Sequence, residues 1–407
     1  MHGQFQPARR QLLKLGAGTM VAGLANRWWS RASEPRGGNS VLTRVYSASG
    51  STHAVVVGDV PLAHTAQIFP PTMTEKVAVG DAAAQLDELA KRIDMVLRAA
   101  DSNLDQVVRW NFYVADDTAA GDVETWLRSR YPKNDTPAVT IVTGKLANEE
   151  HKVAADCIAV SQAAVRPGEV VRMADAAILP PRDKLYVSGD AKPGDLTTAT
   201  TETLKSLEAT LTFAKLDWSH VVHLKSFLQP IEAAGAVRDV MKSYFGDRPM
   251  PALTFVEWES AGLPIEIELI AAVPPDRGNS SGDSVEYLTP PHMKSSPVFS
   301  RAARVRCEKT IYTSGLYGAS GSDAARRVRE ILDAVGEVAE KGGGDLKHLV
   351  KATYYVSDDV SSEQLNKIRP DYYDPTRPPA ASKALVRGVG KLGQGIVVDM
   401  IAVPKAP

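Results

Sequence analysis

Three short markers recur in step along the 407 residues. A Pro-Ala pair starts at Pro137, Pro251 and Pro379, with spacings of 114 and 128. Basic residues Arg109, His223 and Lys351 keep the same two offsets. An acid follows each pair, at Asp156, Glu268 and Asp399. Self-similarity at this scale is the mark of a repeated structural unit, so the chain is predicted to fold as one unit written three times.

The third copy shows the plan most clearly. An apolar strand ends in a tight glycine, Ile311-Tyr312-Thr313-Ser314-Gly315. A helix follows over 323–341, with Val328, Ile331, Leu332, Val335 and Val338 on one stripe, Ser322 as a candidate cap and Gly342-Gly343-Gly344 as its stop. A strand over 349–356, a short helix over 365–373 and a closing hairpin from Pro379 complete it. The second copy opens at Leu185–Gly189, carries a helix with Leu204, Leu207 and Leu211 on one face, then a strand over 221–228, a short helix over 237–245, and closing strands over 250–255 and 265–270. In the first copy the opening strand is placed at 53–58 and a long loop at 63–79, followed by a helix over 81–100, a strand over 107–114, a short helix over 123–131, and closing strands over 136–142 and 153–160. Polar and Gly/Pro-rich stretches at 34–40, 166–168 and 274–292 separate the copies, giving domains at 41–161, 169–273 and 285–404.

Composition narrows the function classes. A formal charge of −1 without Lys/Arg runs argues against a nucleic-acid surface, which needs clustered cations. The two cysteines, Cys157 and Cys307, lie in apolar strand patterns and read as small core residues, with no disulfide framework and no thiolate metal site. Scattered histidines give no metal ligand set, and no cofactor is expected; Gly388-Val-Gly390-Lys-Leu-Gly393 lacks the helix a dinucleotide loop needs and reads as a hairpin loop. Residues 1–33 read as a targeting segment: Arg9-Arg10 precedes a weakly apolar run over 15–25, with Ser30-Arg31-Ala32 as a cleavage point. That run is too short for a membrane anchor, so an exported, periplasmic protein is expected.

Tyr-Thr-Ser-Gly at 312–315, a helix, Val350-Lys351-Ala-Thr-Tyr-Tyr-Val356, Tyr372-Tyr373, Pro379-Ala380 and an apolar strand with one acid resemble, in that order, the RidA/YjgF family. The resemblance covers 41–403 in three copies. It implies an α+β fold: per copy, a mostly antiparallel sheet with two helices on one face. Family members are homotrimers with a central β-barrel and ligand clefts between neighbours, so three copies imply a monomer that is an intramolecular pseudotrimer. The resemblance also implies cofactor-free enamine or imine hydrolysis, in which an arginine after Pro-Ala grips the substrate carboxylate and an acid in the last strand serves the attacking water.

The sequence keeps the acids Asp156, Glu268 and Asp399 but has Val139, Leu253 and Ala381 in place of the arginine. Lys383, two residues beyond Ala381, shares its face; Ile141 and Phe255 hold the equivalent places. Lys383, Ser382, Phe299 and Gly315 are therefore the candidate small-molecule contacts, with Asp399 beside them. Two readings of the acids stay open, water-positioning groups or structural partners of Arg109, His223 and Lys351. So do two functions, a deaminase-type hydrolase or a non-catalytic binding or scaffold protein. Ribonuclease activity, reported for some relatives, fits the neutral composition poorly.

Overall fold

The structure, a computed structural model, describes residues 41–47, 52–71, 81–131, 135–260, 262–275, 283–291, 293 and 296–405. The targeting segment expected over 1–33 lies outside the described residues. No helix among those described is long and apolar enough to cross a membrane.

In chain order the elements are β1 (Leu42–Tyr46), β2 (Thr52–Val57), β3 (Leu62–Thr65), α1 (Ala82–Ala99), β4 (Val107–Val114), α2 (Asp117–Arg130), β5 (Ala138–Thr143), β6 (Val153–Val160), β7 (Val171–Arg172), β8 (Ala176–Leu179) and β9 (Lys184–Asp190). There follow α3 (Leu196–Phe213), β10 (Val221–Leu228), α4 (Ala234–Phe245), β11 (Ala252–Glu257), β12 (Ile265–Ala272), β13 (Val285–Leu288), β14 (Ala302–Val305), β15 (Thr310–Thr313), α5 (Ala324–Lys341), β16 (Leu349–Val356), α6 (Asp359–Ile368), β17 (Ala380–Leu385) and β18 (Ile396–Ala402).

The helices form where the apolar stripes and caps place them. In α1, Leu86, Leu89, Ile93 and Leu97 are buried, and Asp81 caps the start by accepting from the Ala83 N–H at 2.9 Å. The cap of α5 is Asp323, one residue beyond Ser322, accepting from the Arg326 N–H at 2.8 Å. Two of the short helices, α2 and α6, start six residues earlier than the apolar pattern suggests, where Asp116 and Asp358 cap them; α4 starts three residues earlier without a side-chain cap.

Among the described residues, eighteen strands make three six-stranded sheets, in the orders β5-β4-β6-β3-β8-β7, β11-β10-β12-β9-β14-β13 and β17-β16-β18-β15-β2-β1. The closing hairpins expected from sequence are not hairpins. The short helix is a crossover, so β5, β11 and β17 run parallel to β4, β10 and β16, and the last strand pairs on the other side of that middle strand. Gly388–Gly393 accordingly lies in a connection rather than a hairpin loop; Gly388 exchanges backbone hydrogen bonds with Thr143 of the first sheet.

Each sheet takes two strands from another copy. The β7–β8 hairpin completes the first sheet by pairing with β3, the β13–β14 hairpin completes the second on β9, and β1–β2 completes the third on β15. The exchange runs once round the ring and closes. The four-residue connections 58–61, 180–183 and 306–309 cross between sheets instead of turning; Pro61 and the Pro180-Pro181 pair favour extended backbone there. The opening strand of the first copy is therefore β3, not the expected 53–58 segment. Its His64 faces the axis and its Thr65 hydroxyl accepts from the Cys157 N–H on the other face, so it lacks the apolar signature of its counterparts. Cys307 sits half-exposed in the last crossing rather than in a core strand, whereas Cys157 is buried.

Each sheet buries one face under its two helices, giving three separate cores. The opposite faces share a central core with Val55, Val57, Ile158, Tyr186, Val222, Tyr312 and Val350 drawn from all three sheets. Val55 of the exchanged β2 has no exposed surface. Val55→Ala is expected to cost roughly 2 kcal/mol in chemical denaturation, the cavity cost of a docked strand; an unchanged midpoint would mean β2 is not seated in the ring.

Candidate functional site

Two kinds of polar environment arise from this arrangement. The first lies on the axis, where the three middle strands and three last strands face one another around a cavity of about 40 Å³. Arg109, His223, Lys351, Asp156, Glu268 and Asp399 all line it and all are buried. Their pairing crosses between copies. Arg109 of the first copy forms an ion pair with Asp399 of the third. Lys351 of the third donates to Glu268 of the second at 2.6 Å. His223 of the second shares Thr254 Oγ1, at 3.1 Å, with Asp156 of the first, which accepts from that hydroxyl at 2.9 Å.

Asp156 has further partners on the axis. Asp156 accepts from Asn111 Nδ2 at 2.6 Å and from the Tyr113 hydroxyl at 2.8 Å. Burial alone would weaken Arg109's charge, but Asp399 outweighs it and holds the guanidinium above its ordinary value. Burial, opposed by Asp156, drives His223 down to about 4, so it is neutral at physiological pH. The same cause takes His64, whose ring lies tilted to it with centroids 6.2 Å apart, to about 3. Neutral His223 therefore contributes a hydrogen bond where the other two copies contribute an ion pair.

The second environment is the set of three seams between sheets. Gly189 N–H donates to Ser382 Oγ at 3.0 Å where the second sheet meets the third. Gly315 N–H donates to the Val139 carbonyl at 2.9 Å where the third meets the first. Gln67 N–H donates to the Leu253 carbonyl at 2.8 Å where the first meets the second. Gly315 thus belongs to a different seam from Lys383, Ser382 and Phe299.

The seams differ in chemistry. Two residues before each axial acid stand Ala154, Glu266 and Val397, and on the facing edge strands stand Ile141, Phe255 and Lys383. Glu266 shares a strand face with Glu268 and turns to the seam with the third sheet. There its carboxyl lies against Gly189; a Cβ on that glycine would stand 1.9 Å from Glu266 Oε1. Burial, then the neighbouring Glu268, raises the Glu266 pKa to about 7, against the opposing pull of Lys351 and Arg301. Arg301 donates to the Gly189 carbonyl at 2.9 Å and stands 3.6 Å from Asp190. Across the seam, Lys383 is half-buried, with its Nζ on Ser362 Oγ at 3.0 Å and Asn366 Oδ1 at 3.3 Å of α6.

Ser382 and Asp399 point to the axis and Lys383 to the helix side, because neighbouring strand residues alternate; the expected trio of Lys383, Ser382 and Asp399 is not assembled. Ser382 instead donates to Glu268 and accepts from Lys351 at 3.1 Å, tying the axis to this seam. Phe299 precedes Ser300, which bridges to Ala380, so it lies at the same seam with 36% of its surface exposed. Glu266 is the residue that sequence reasoning passed over. Its signal was the doubled acid Ile265-Glu-Ile-Glu-Leu, which puts two carboxylates on one face.

The seams explain a size pattern: Gly189 opposite Glu266, Gly315 opposite Val397, and Ala66 in the copy that has Ala154. Gly189→Ala is expected to evict the carboxyl and cost roughly 1–3 kcal/mol. Adding Glu266→Ala should recover most of that loss, a coupling that thermal unfolding of the four proteins in the cycle would read.

Three tandem α+β units, joined into one ring by exchanged hairpins and with seams between sheets, define an intramolecular pseudotrimer. The sequence model of the family described as Ribonuc_L-PSP, Endoribonuclease L-PSP, matches residues 44–161 and 164–273, more than half of the chain, and the chain belongs to that family. Similar solved structures include a YjgF-family member from Neisseria meningitidis (20% identity, 30% of this chain and 97% of that one, TM-score 0.23). Another is a protein of the conserved Rid family from Yersinia pestis (18% identity, 30% and 98%, TM-score 0.28). A third, from Mycobacterium tuberculosis, is a member of the YjgF/YER057c/UK114 family (21% identity, 30% and 99%, TM-score 0.22). No curated protein matches the chain.

Proposed function

We propose that the protein hydrolyses a small enamine or imine, without a cofactor, in the seam between the second and third sheets. The observation that carries this reading is Glu266, an enclosed carboxyl whose pKa near 7 leaves it able both to give and to take a proton at neutral pH. In its acid form it protonates an enamine carbon to give the iminium; as carboxylate it takes a proton from the attacking water. Phe299 offers an apolar wall and Lys383 the facing cation. The other two seams, with Ala154 and Val397 at the Glu266 position, have no equivalent acid and are assigned a structural or binding role. From the paired arginines of the leading segment we infer export of the folded chain and work in the periplasm.

The test is ammonia release from enamines generated in situ. Glu266→Gln is expected to lower the rate by roughly 10²–10³-fold. An unchanged rate in that variant, or a wild-type rate no higher than a protein-free blank, removes the hydrolase reading and leaves the binding protein.

A further inference from the structure

Lys383 differs from the other enclosed lysines. Lys351 is locked to Glu268 on the axis, Lys225 touches the Tyr355 hydroxyl there, and Lys184 is held by the Arg182 carbonyl. Lys383 lies on the edge strand β17, in the one seam that also holds Glu266. Its Nζ donates only to neutral oxygens, Ser362 Oγ and Asn366 Oδ1. Among the described residues no carboxylate comes within ion-pair distance of it. Burial, and then the nearby Arg369 charge, lower its hold on a proton, while Glu266 across the seam works the other way. An amine that is partly desolvated and unpaired keeps its lone pair available, which is what nucleophilic lysines require.

We propose that Lys383 is a covalent nucleophile: its Nζ attacks the iminium or carbonyl carbon of a small substrate and carries that carbon as a Schiff base, with Glu266 relaying the protons. For imine substrates this rests on the reading of the seam given above. The Lys383 lone pair forms a C–N bond while the iminium π pair moves to the substrate nitrogen, giving a geminal diamine. Glu266 as carboxylate removes a proton from Nζ and, as acid, delivers it to the substrate nitrogen. Ammonia leaves with its bonding pair as the Nζ lone pair forms the new C=N bond. Water then adds to that carbon, Glu266 moves a proton from oxygen to Nζ, and the C–N bond breaks to release the ketone and the lysine. Substrate iminium and one water become ketone and ammonium, with no oxidant or reductant. A ketone supplied directly enters at the Schiff base with loss of one water.

The experiment uses the full chain with acetone as probe and sodium borohydride as the trap at pH 7, followed by peptide mass mapping. Lys383 should gain the isopropyl group several-fold faster than exposed lysines such as Lys91 and Lys242, because burial leaves more of it as the free amine. Glu266→Gln should slow that labelling. Labelling of Lys383 no faster than of those two overturns the proposal. Ammonia release from enamines gives the second reading, in variants whose thermal unfolding matches wild type. Lys383→Arg keeps the cation but not the nucleophile, and should lose turnover as fully as Lys383→Ala. A wild-type rate in Lys383→Arg overturns the covalent route and leaves Glu266-dependent hydrolysis standing. Selective labelling with no ammonia release in wild type keeps the nucleophile and removes the hydrolase reading.

Discussion

Asp399→Ala is expected to destabilise the fold by about 3–5 kcal/mol, among the largest losses any single polar substitution here should cause. Asp399 and Arg109 are both almost without exposed surface and come from the third and first copies. Removing the carboxylate strands a guanidinium on the axis, where its other contacts are the longer ones to Asn111 Oδ1 at 3.2 Å and Thr140 Oγ1 at 3.4 Å. The cost is that of an uncompensated buried charge rather than the value of the pair itself. Replacing both partners with apolar residues of similar volume, Arg109→Met with Asp399→Leu, should therefore return stability to within about 1 kcal/mol of wild type or above it. Chemical denaturation of the four proteins decides the matter. A loss below about 1 kcal/mol for Asp399→Ala would mean that water reaches the axis and solvates Arg109.

The pairing also accounts for the order of the ring. Arg109 with Asp399, Lys351 with Glu268, and His223 with Asp156 through Thr254 each join one copy to a different copy, in one rotational sense. Because the three junctions use different residues, a copy placed out of order would face an unmatched charge. Hairpin exchange runs around the same ring, so hydrogen-bonded strands and buried charges specify a single closed arrangement.

Much of this is legible in the sequence. Helix stripes such as Val328, Ile331, Leu332, Val335 and Val338 appear directly as buried faces, and the Pro-Ala register gives three equivalent edge strands. Helical periodicity is local, so one sequence window contains it. Strand partnership is not local: nothing in Thr52–Val57 announces that, besides β1, it pairs with Thr310–Thr313 some 250 residues away rather than with β3. The first opening strand is hidden for a related reason, since His64 on the axial face and Thr65 on the other break the apolar run. The candidate acids lie in the strands expected, but Glu266 and Glu268 share a face, and the sequence pattern does not tell that Glu266 lies against Gly189 while Glu268 lines the axial cavity.

The pH dependence of stability should carry the imprint of Glu266. Its folded-state pKa, about 7, lies above the ordinary 4.5, chiefly because burial penalises the carboxylate. A raised pKa means that the folded protein holds a proton that the unfolded chain has released. The contribution is therefore fully present below about pH 4.5 and is lost as pH rises through about 7. Glu266→Gln, neutral at every pH, has no such loss. Variant and wild type should have similar stability near pH 5, and the variant should be the more stable by up to ~3 kcal/mol above pH 8, the linkage value of a shift of this size. Thermal or denaturant unfolding of both proteins from pH 5 to 9 reads the difference directly. Parallel curves would show that Glu266 ionises as an ordinary surface carboxylate, and the seam would then lose the one group able to move protons at neutral pH.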